Sequence, residues 1–408
     1  MAEKTPEFLK KLISRKYTIL TKNYDTQNMI FAIKIASKNK KIQFDGIVTF
    51  CEDVVIKTAL VAEYFNLPCP SSQAVMQSSC NKYLMREVCR RKNIPMPKYK
   101  LFSSNSDGLK KYLSFKKPTV IKPINRASSE AVLKIDSPKD PILFRKKFNQ
   151  MRKILYETQS SSEYYLIEEY VPGIVISVDG FIQNSWPHIL SVSDFAMGKE
   201  PYFFQTNCFI PSNLNKKQIN ACHAITKKVI RAIGLNNCAF HCEVRMNNET
   251  PYLLEIAARC GGGFVALQIK DAYNVNFIEQ IVKVSLGEKV SYKIRKSGIH
   301  TSNYRYTCDK KGIFIKISGL ERIKKNLHIK KVAEITKPGE IITSKNMFAI
   351  AGFFISASSR KQVIKAFSFI EKELKYEVKK QNFSKFKFYL KSLFRKMLSV
   401  VILYSVFF

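Results

Sequence analysis

Two short stretches decide the reading: His241-Cys-Glu-Val-Arg245 and Leu253-Leu-Glu-Ile-Ala-Ala-Arg259, the second running into Cys260-Gly-Gly-Gly263. Both read as strands, in which residues i and i+2 share a face. The polar turn at 247–251 joins them as a hairpin. His241, Glu243 and Arg245 then share one face, as do Glu255, Ala257 and Arg259 on the partner strand. The hairpin brings Glu243 and Glu255 close together. Two carboxylates on one sheet face are costly unless a cation sits between them. Hard oxygen ligands suit Mg²⁺ (or Mn²⁺), which shares its shell with phosphate oxygens and water. Arg259 stands where it could clamp a transferring phosphoryl group. The bland alternative is a surface hairpin with ordinary ion pairs, which are common and weak.

Further charged groups sit in apolar or phosphate-friendly surroundings. Lys122 lies inside Thr119-Val-Ile-Lys-Pro-Ile124 and must point to solvent or to an anion. The following loop, Asn125-Arg-Ala-Ser-Ser-Glu130, supplies Arg126 and the small residues Ser128 and Ser129, whose N–H groups suit phosphate. An edge-strand lysine that blunts pairing is the simpler account. Leu166-Ile-Glu-Glu-Tyr-Val-Pro-Gly173 ends a strand in Glu168 and Glu169, with Tyr170 and Val171 beside them. That suits reading a purine by backbone groups and one carboxylate, or else a plain strand end before Pro-Gly. Lys82, in Asn81-Lys-Tyr-Leu-Met-Arg86, reads alone as helix surface.

The coarse pattern begins with a strand at 17–20, a helix at 28–37, a buried strand at 44–50 that ends in Glu52 and Asp53, and a helix at 54–65. That order implies a parallel sheet. A helix at 80–93 stops at Pro95 and Pro97. Strands follow at 99–102, 119–123, 131–135, 165–170 and 174–183, with helices at 141–158 and 214–233. One helix is expected over 264–286. From 297 the chain turns to short strands punctuated by glycines, closed by a helix at 360–374. The fold class is α/β, partly α+β. The expected units are 1–78, an N-terminal α/β domain; 79–160, the lysines and phosphate loop; 161–290, the acidic hairpin; 291–378, a small mixed β domain; and 379–408, a tail.

The 408 residues carry 68 Lys+Arg against 32 Asp+Glu, a formal charge of +36. The lysines spread along the whole chain without a nucleic-acid motif, so no specific nucleic acid is expected. Solvated faces and attraction for an anionic substrate such as ATP account for the charge. Ten cysteines without a CxxC pair suit the reducing cytoplasm. Cys238, His241 and Cys242 invite zinc but lack a second ligand pair. No secretory signal opens the chain. The apolar run 397–408, after Lys385, Lys387, Lys391, Arg395 and Lys396, is too short to span a bilayer. It docks on the protein or supports weak membrane-surface association.

The order of Lys82, Lys122, the Ser-rich loop, Glu168-Glu169, Glu243, Glu255 and Arg259 resembles the ATP-grasp superfamily, in detail its carboxylate–amine ligase branch with the L-amino acid ligases. Asp45-Gly-Ile-Val-Thr-Phe50 is similar to that family's N-terminal domain, here short by about one βαβ unit. Asn81-Lys82 through Ile94-Pro-Met-Pro97 looks like its DK…GIPxP segment, and 297–317 with Lys337-Pro-Gly-Glu340 like its small C-terminal domain. The resemblance implies that Lys82 and Lys122 contact ATP phosphates beneath a loop over 126–132. It implies that Glu168 reads the adenine amine, with Glu169, Tyr170 and Val171 lining the purine slot. Glu243 and Glu255 match the magnesium ligands, Arg259 the arginine at the acyl phosphate, and His241 a pocket residue. The implied activity joins a small-molecule carboxylate to an amine. The family's loop glycines are Ser128 and Ala131 here, its ribose glutamate is Val175, and an asparagine near the metal is Ala257. These departures keep open an ATP-binding module without turnover, beside an ATP-grasp carboxylase or purine-pathway ligase. Specificity is expected in 194–211, with Tyr202, Phe203 and Phe204, and near 261–264.

Overall fold

The computed structural model describes residues 25–40, 43–198, 203–342 and 348–380. The expected strand at 17–20, Tyr202, and the apolar tail with its basic approach lie outside these residues. The described chain opens with α1 (Thr26–Lys40), α2 (Val55–Tyr64), α3 (Ser72–Val75) and α4 (Lys82–Arg91). Residues 44–50 do not form the expected strand. They have no ladder partner among the described residues, where every pairing is antiparallel. Phe44 and Ile47 instead pack on Met29, Ile33 and Val61 of the two helices, which satisfies the apolar run without a sheet.

A first sheet follows, built from β1 (Tyr99–Phe102), β2 (Thr119–Pro123), β3 (Leu133–Ile135) and β4 (Tyr165–Glu169) in the order β1-β4-β2-β3. Helices α5 (Asn105–Tyr112) and α6 (Pro141–Glu157) share a core with it. The Asp140 side chain caps α6 by accepting from Ile142 and Leu143 N–H, with Pro141 at its first position. The sequence pattern misses α5. Gly108 weakens the helical signal there, yet a Cβ at that position would lie 2.5 Å from the Phe102 ring. Phe102 stands 5.6 Å from the Phe148 ring and 5.4 Å from Tyr165.

The second sheet contains β5 (Ile174–Gln183), β6 (Trp186–Met197), β7 (Gln205–Ile210), β8 (Cys238–Asn247), β9 (Thr250–Ala257), β10 (His300–Cys308), β12 (Ile329–Glu334) and β14 (Phe348–Ala357). Its order is β12-β14-β10-β7-β6-β5-β8-β9, so strands from beyond residue 297 extend the sheet that carries the acidic hairpin. Helix α7 (Lys216–Ile233) packs in one core against it, opened by an Asn215–Gln218 capping box and closed by Gly234 at φ 78°. Another core holds α8 (Val265–Tyr273) and α9 (Phe277–Ser285). The sequence predicts one helix there. Asn274, left-handed at φ 56°, divides it in two. The remaining strands, β11 (Gly312–Ser318), β13 (Ile341–Ile342) and β15 (Lys375–Lys379), form a third sheet beside α10 (Leu320–Lys324) and α11 (Arg360–Glu373).

Because Phe102 is buried among three other rings, Phe102→Ala should lower the unfolding free energy by about 3–5 kcal/mol. Urea unfolding followed by circular dichroism measures it. A loss under about 1 kcal/mol would mean that this cluster is not a core.

Candidate active site

Glu243 on β8 stands directly opposite Glu255 on β9, and a β-bulge between Glu243 and Val244 sets that register, which alternation alone does not supply. Each acid has its own compensation. Lys82 Nζ lies 3.2 Å from Glu255 Oε2. Lys82 is not helix surface: it is buried at the start of α4, its N–H donates to Ile124 O, and Nζ also donates to Arg126 O. Asn81 fixes that start by accepting from Tyr83 and Leu84 N–H. Burial works to raise the Glu255 pKa, but Lys82 and Lys122 outweigh it and hold the carboxyl at about 2.

Glu243 Oε1 accepts from Gln205 Nε2 at 2.7 Å and lies 3.2 Å from His241 Nε2. His241 Nδ1 is 2.7 Å from Asp179 Oδ1. Asp179 is fully buried and also accepts from Ser177 Oγ at 2.9 Å and Gly261 N–H at 3.2 Å. Burial works to lower the His241 pKa, but Asp179 and Glu243 raise it to about 10. His241 is therefore an imidazolium at neutral pH and not a base. Cys238 and Cys242 point to the opposite face of β8 from His241, because side chains alternate along a strand. The zinc grouping is not assembled.

Glu168 is buried between two cations, with Arg86 Nε at 2.9 Å and Lys122 Nζ at 2.7 Å. Arg86 also donates to Leu254 O at 2.9 Å, tying α4 and the first sheet to β9. Burial works to raise the Glu168 pKa, yet the two cations take it below its usual value. Burial pushes Lys122 down to about 8 against the pull of Glu168. Lys82, Lys122, Arg126, Ser129, residues 168–171, Glu243 and Glu255 all line one narrow cleft. Phe203, Val175 and Arg245 join them. The Arg245 guanidinium lies 5.2 Å from the Tyr170 ring and 5.8 Å from Phe203. Glu169 pairs with Lys117 at 2.6 Å.

Three expected site residues lie off the cleft wall. His241 sits beside Glu243. Ser128 lines a neighbouring cavity with Glu52, Asp53 and Glu130. Arg259 follows the end of β9, its Nε paired with Glu52 and its NH1 donating to Cys260 O at 2.7 Å. Sequence reasoning missed Arg86, Asp179, Gln205 and the Glu52–Arg259 pair. A lone acid in Ile-Val-Ile-Ser-Val-Asp-Gly-Phe-Ile is the signal that could have found Asp179, by the argument that singled out Lys122.

The loop after β2 keeps a glycine-like backbone without glycines. Ser128, Ser129 and Ala131 have φ of 54°, 57° and 58°. Each such residue costs about 1–2 kcal/mol. The loop is pinned by Glu130, which accepts from Ser160 Oγ at 2.9 Å and from Thr158 Oγ1.

The Glu243–Glu255 pair suits a divalent cation that completes its shell with phosphate oxygens and water. Among the described residues no group of three or more His, Cys, Asp and Glu is set to cage a metal alone. Residues 115–267 match the ATP-grasp domain family, a span that holds Lys122, Glu168 and the whole acidic hairpin. That span is similar to an ATP-grasp domain. The chain is similar to dapdiamide A synthase of Enterobacter agglomerans, at 26% identity over 239 residues, 56% of this chain and 50% of that protein. It is also similar to the alanine–anticapsin ligase of Bacillus subtilis (strain 168), at 25% over 257 residues, 59% and 53%. The chain thus spans about half the length of these curated relatives. Its fold matches an L-amino acid ligase from Bacillus licheniformis with a TM-score of 0.72 at 22% identity, covering 87% of this chain and 86% of that one.

Two outcomes follow from the charges and the loop. His241 is raised from 6.5 to about 10, so its contribution is fully present below pH 6.5 and is lost as pH rises toward 10. Urea midpoints of metal-free protein should fall across that window, and less steeply in Asp179→Asn; equal slopes would show that Asp179 does not hold the imidazolium. Ser128→Gly should raise unfolding free energy by up to about 1 kcal/mol, the strain relieved minus glycine's chain entropy. A destabilised variant in the same urea assay would contradict the strain.

Proposed function

We propose that the chain is an ATP-dependent ligase that joins a carboxylate to an amine through an acyl phosphate, with release of ADP and phosphate. The observation that carries this reading is the Glu243–Glu255 pair, with Lys82 and Lys122, lining the same cleft as residues 168–171. Relatives named as an alanine–anticapsin ligase and an L-amino acid ligase support amino-acid-like substrates. All ten cysteines are free, which supports a reducing compartment such as the cytoplasm.

Glu243 and Glu255 would hold Mg²⁺ (or Mn²⁺), which when bound spreads the charge of the transferring phosphoryl group. Lys82 turns from Glu255 to the ATP phosphates, beside Lys122, Arg126 and the N–H groups of Ser128 and Ser129. Glu168 keeps lone pairs beyond its two cation contacts and accepts from the adenine amine. Glu169, Tyr170 and Val171 border the purine. Arg259 exchanges Glu52 for oxygens of the phosphoryl group. His241 lends fixed positive charge beside Glu243 and takes no proton.

In the first step a substrate carboxylate oxygen attacks the γ-phosphorus, the P–O bond to the β-phosphate breaks, and ADP leaves with the electron pair. In the second, an uncharged amine nitrogen attacks the acyl carbon, the C–O bond to phosphate breaks, and the nitrogen's extra proton passes to solvent. Positioning and electrostatics supply the acceleration.

The test is purified protein with ATP, Mg²⁺ and pooled acids and amines, with ADP and phosphate recorded and the amide found by mass. Glu255→Gln and Arg259→Ala should each lower turnover by about 100-fold or more while the circular dichroism stays native. Near wild-type turnover in either variant sinks the assignment. ATP binding without product from any pair would instead leave a nucleotide-binding module, the alternative that Val175 and Ala257 favour.

A further inference from the structure

A nucleotide carries its sugar between its base and its phosphates. On the ligase reading, residues 168–171 border the purine, and the metal at Glu243 meets the phosphates. Arg245 joins these two parts of the cleft. It lies two residues beyond Glu243 on β8, about 7 Å along the strand, and both side chains line the cleft. It also touches the purine wall. Its guanidinium is 5.2 Å from the Tyr170 ring, and Nη1 donates to the Tyr170 hydroxyl at 3.2 Å.

Arg245 is held in place before any ligand arrives. Only 8% of it is exposed. The Phe203 ring lies 5.8 Å from the guanidinium, and the Gly173 carbonyl accepts from Nη1 at 3.5 Å. A planar fork fixed in this way loses little freedom on binding. Its partner across the ladder is Val175, which lines the cleft and has no polar side-chain atom. A ligand at this point therefore meets N–H donors on β8 and only hydrocarbon from Val175. A guanidinium donates and never accepts, whereas a hydroxyl oxygen offers two lone pairs.

We propose that Arg245 determines the sugar specificity of the cleft: it donates to the 2′- or 3′-hydroxyl oxygen of the nucleotide, so that a ribonucleotide is selected over a deoxynucleotide. This rests on the ligase reading of the same cleft. The competing role is a structural clamp that only holds Tyr170 and Phe203. A clamp acts through the purine wall and changes the affinity of every adenine nucleotide alike, whatever its sugar. The two roles therefore differ in one measurable quantity, the ratio of affinities for nucleotides that differ by a single hydroxyl.

The experiment is calorimetry of the full chain with Mg²⁺ and, in turn, ATP, 2′-deoxy-ATP and 3′-deoxy-ATP. Wild type is compared with Arg245→Met and Arg245→Lys, with circular dichroism as the folding check. Wild type should bind ATP about tenfold or more tighter than at least one deoxy form, the size of one hydrogen bond from a charged donor. Arg245→Met should abolish that preference, weakening ATP about tenfold more than it weakens the deoxy form. Arg245→Lys keeps the charge and a donor, and should retain part of the preference. The proposal is overturned if wild type binds all three nucleotides alike, a result that needs no variant to fold. It is also overturned if Arg245→Met weakens all three equally. A second arm records ADP and amide with pooled acids and amines. Arg245-dependent sugar preference without product would keep the contact and remove the ligase reading. Product formed with the same kcat/KM from ATP and both deoxy forms would keep the ligase reading and remove the contact.

Discussion

Two glutamates face each other across β8 and β9, and their mutual repulsion organises the site. Neither is left alone. Lys82 meets one, while His241 and Gln205 meet the other. Each compensating group is in turn held by something else. The Asn81 cap sets the start of α4 and so aims Lys82. Asp179, buried beneath the sheet face, fixes the His241 ring. The Arg86–Glu168–Lys122 cluster follows the same rule on the first sheet, with the acid between two cations and one arm of Arg86 on the Leu254 carbonyl. Buried charges of this kind tolerate the loss of a partner poorly. The two sheets are thus joined by ionic contacts at the cleft where chemistry is proposed.

Much of this was legible locally. Alternation over 241–245 and 253–259 sets which side chains share a face within each strand, but the β-bulge between Glu243 and Val244 is what puts Glu255 opposite Glu243, and no periodicity reports it. Lys122 stood out because a charged group inside an apolar strand needs an anion. Helix ends with strong caps, at Asp140 and at Asn215, came close to their observed limits. What was hidden lies in the curl of the large sheet. Gln205 belongs to a strand three places from β8 in sheet order, and no local periodicity reports that distance. Residues 44–50 misled for the opposite reason. An apolar run can be satisfied by helices, as Phe44 and Ile47 are, and periodicity alone does not separate the two cases.

The continuity of the large sheet also decides what moves with what. β10 and β14 belong to the last third of the chain, yet they hydrogen-bond into the ladder that ends in β8 and β9. A shift of these strands is carried through β7 and β6 to the acidic pair. The Arg360–Asp194 ion pair, at 2.9 Å, adds a side-chain tie from α11 to β6. The C-terminal strands are therefore part of the wall of the site rather than an appendage.

The loop over 126–132 bears on kinetics rather than contacts. A glycine-rich version would sample many backbone shapes in the free protein, and a nucleotide would have to select one. With Ser128, Ser129 and Ala131 already left-handed, and Glu130 moored to Thr158 and Ser160, much of that search is settled during folding. The cost is moved from the binding event to the stability of the fold. Such a cradle gives up less disorder when an anion arrives, and it also gives way less easily when the anion must go. Under the proposed ligase reading, dissociation of the spent nucleotide would be the step most sensitive to the three side chains that stand where hydrogen atoms would suffice.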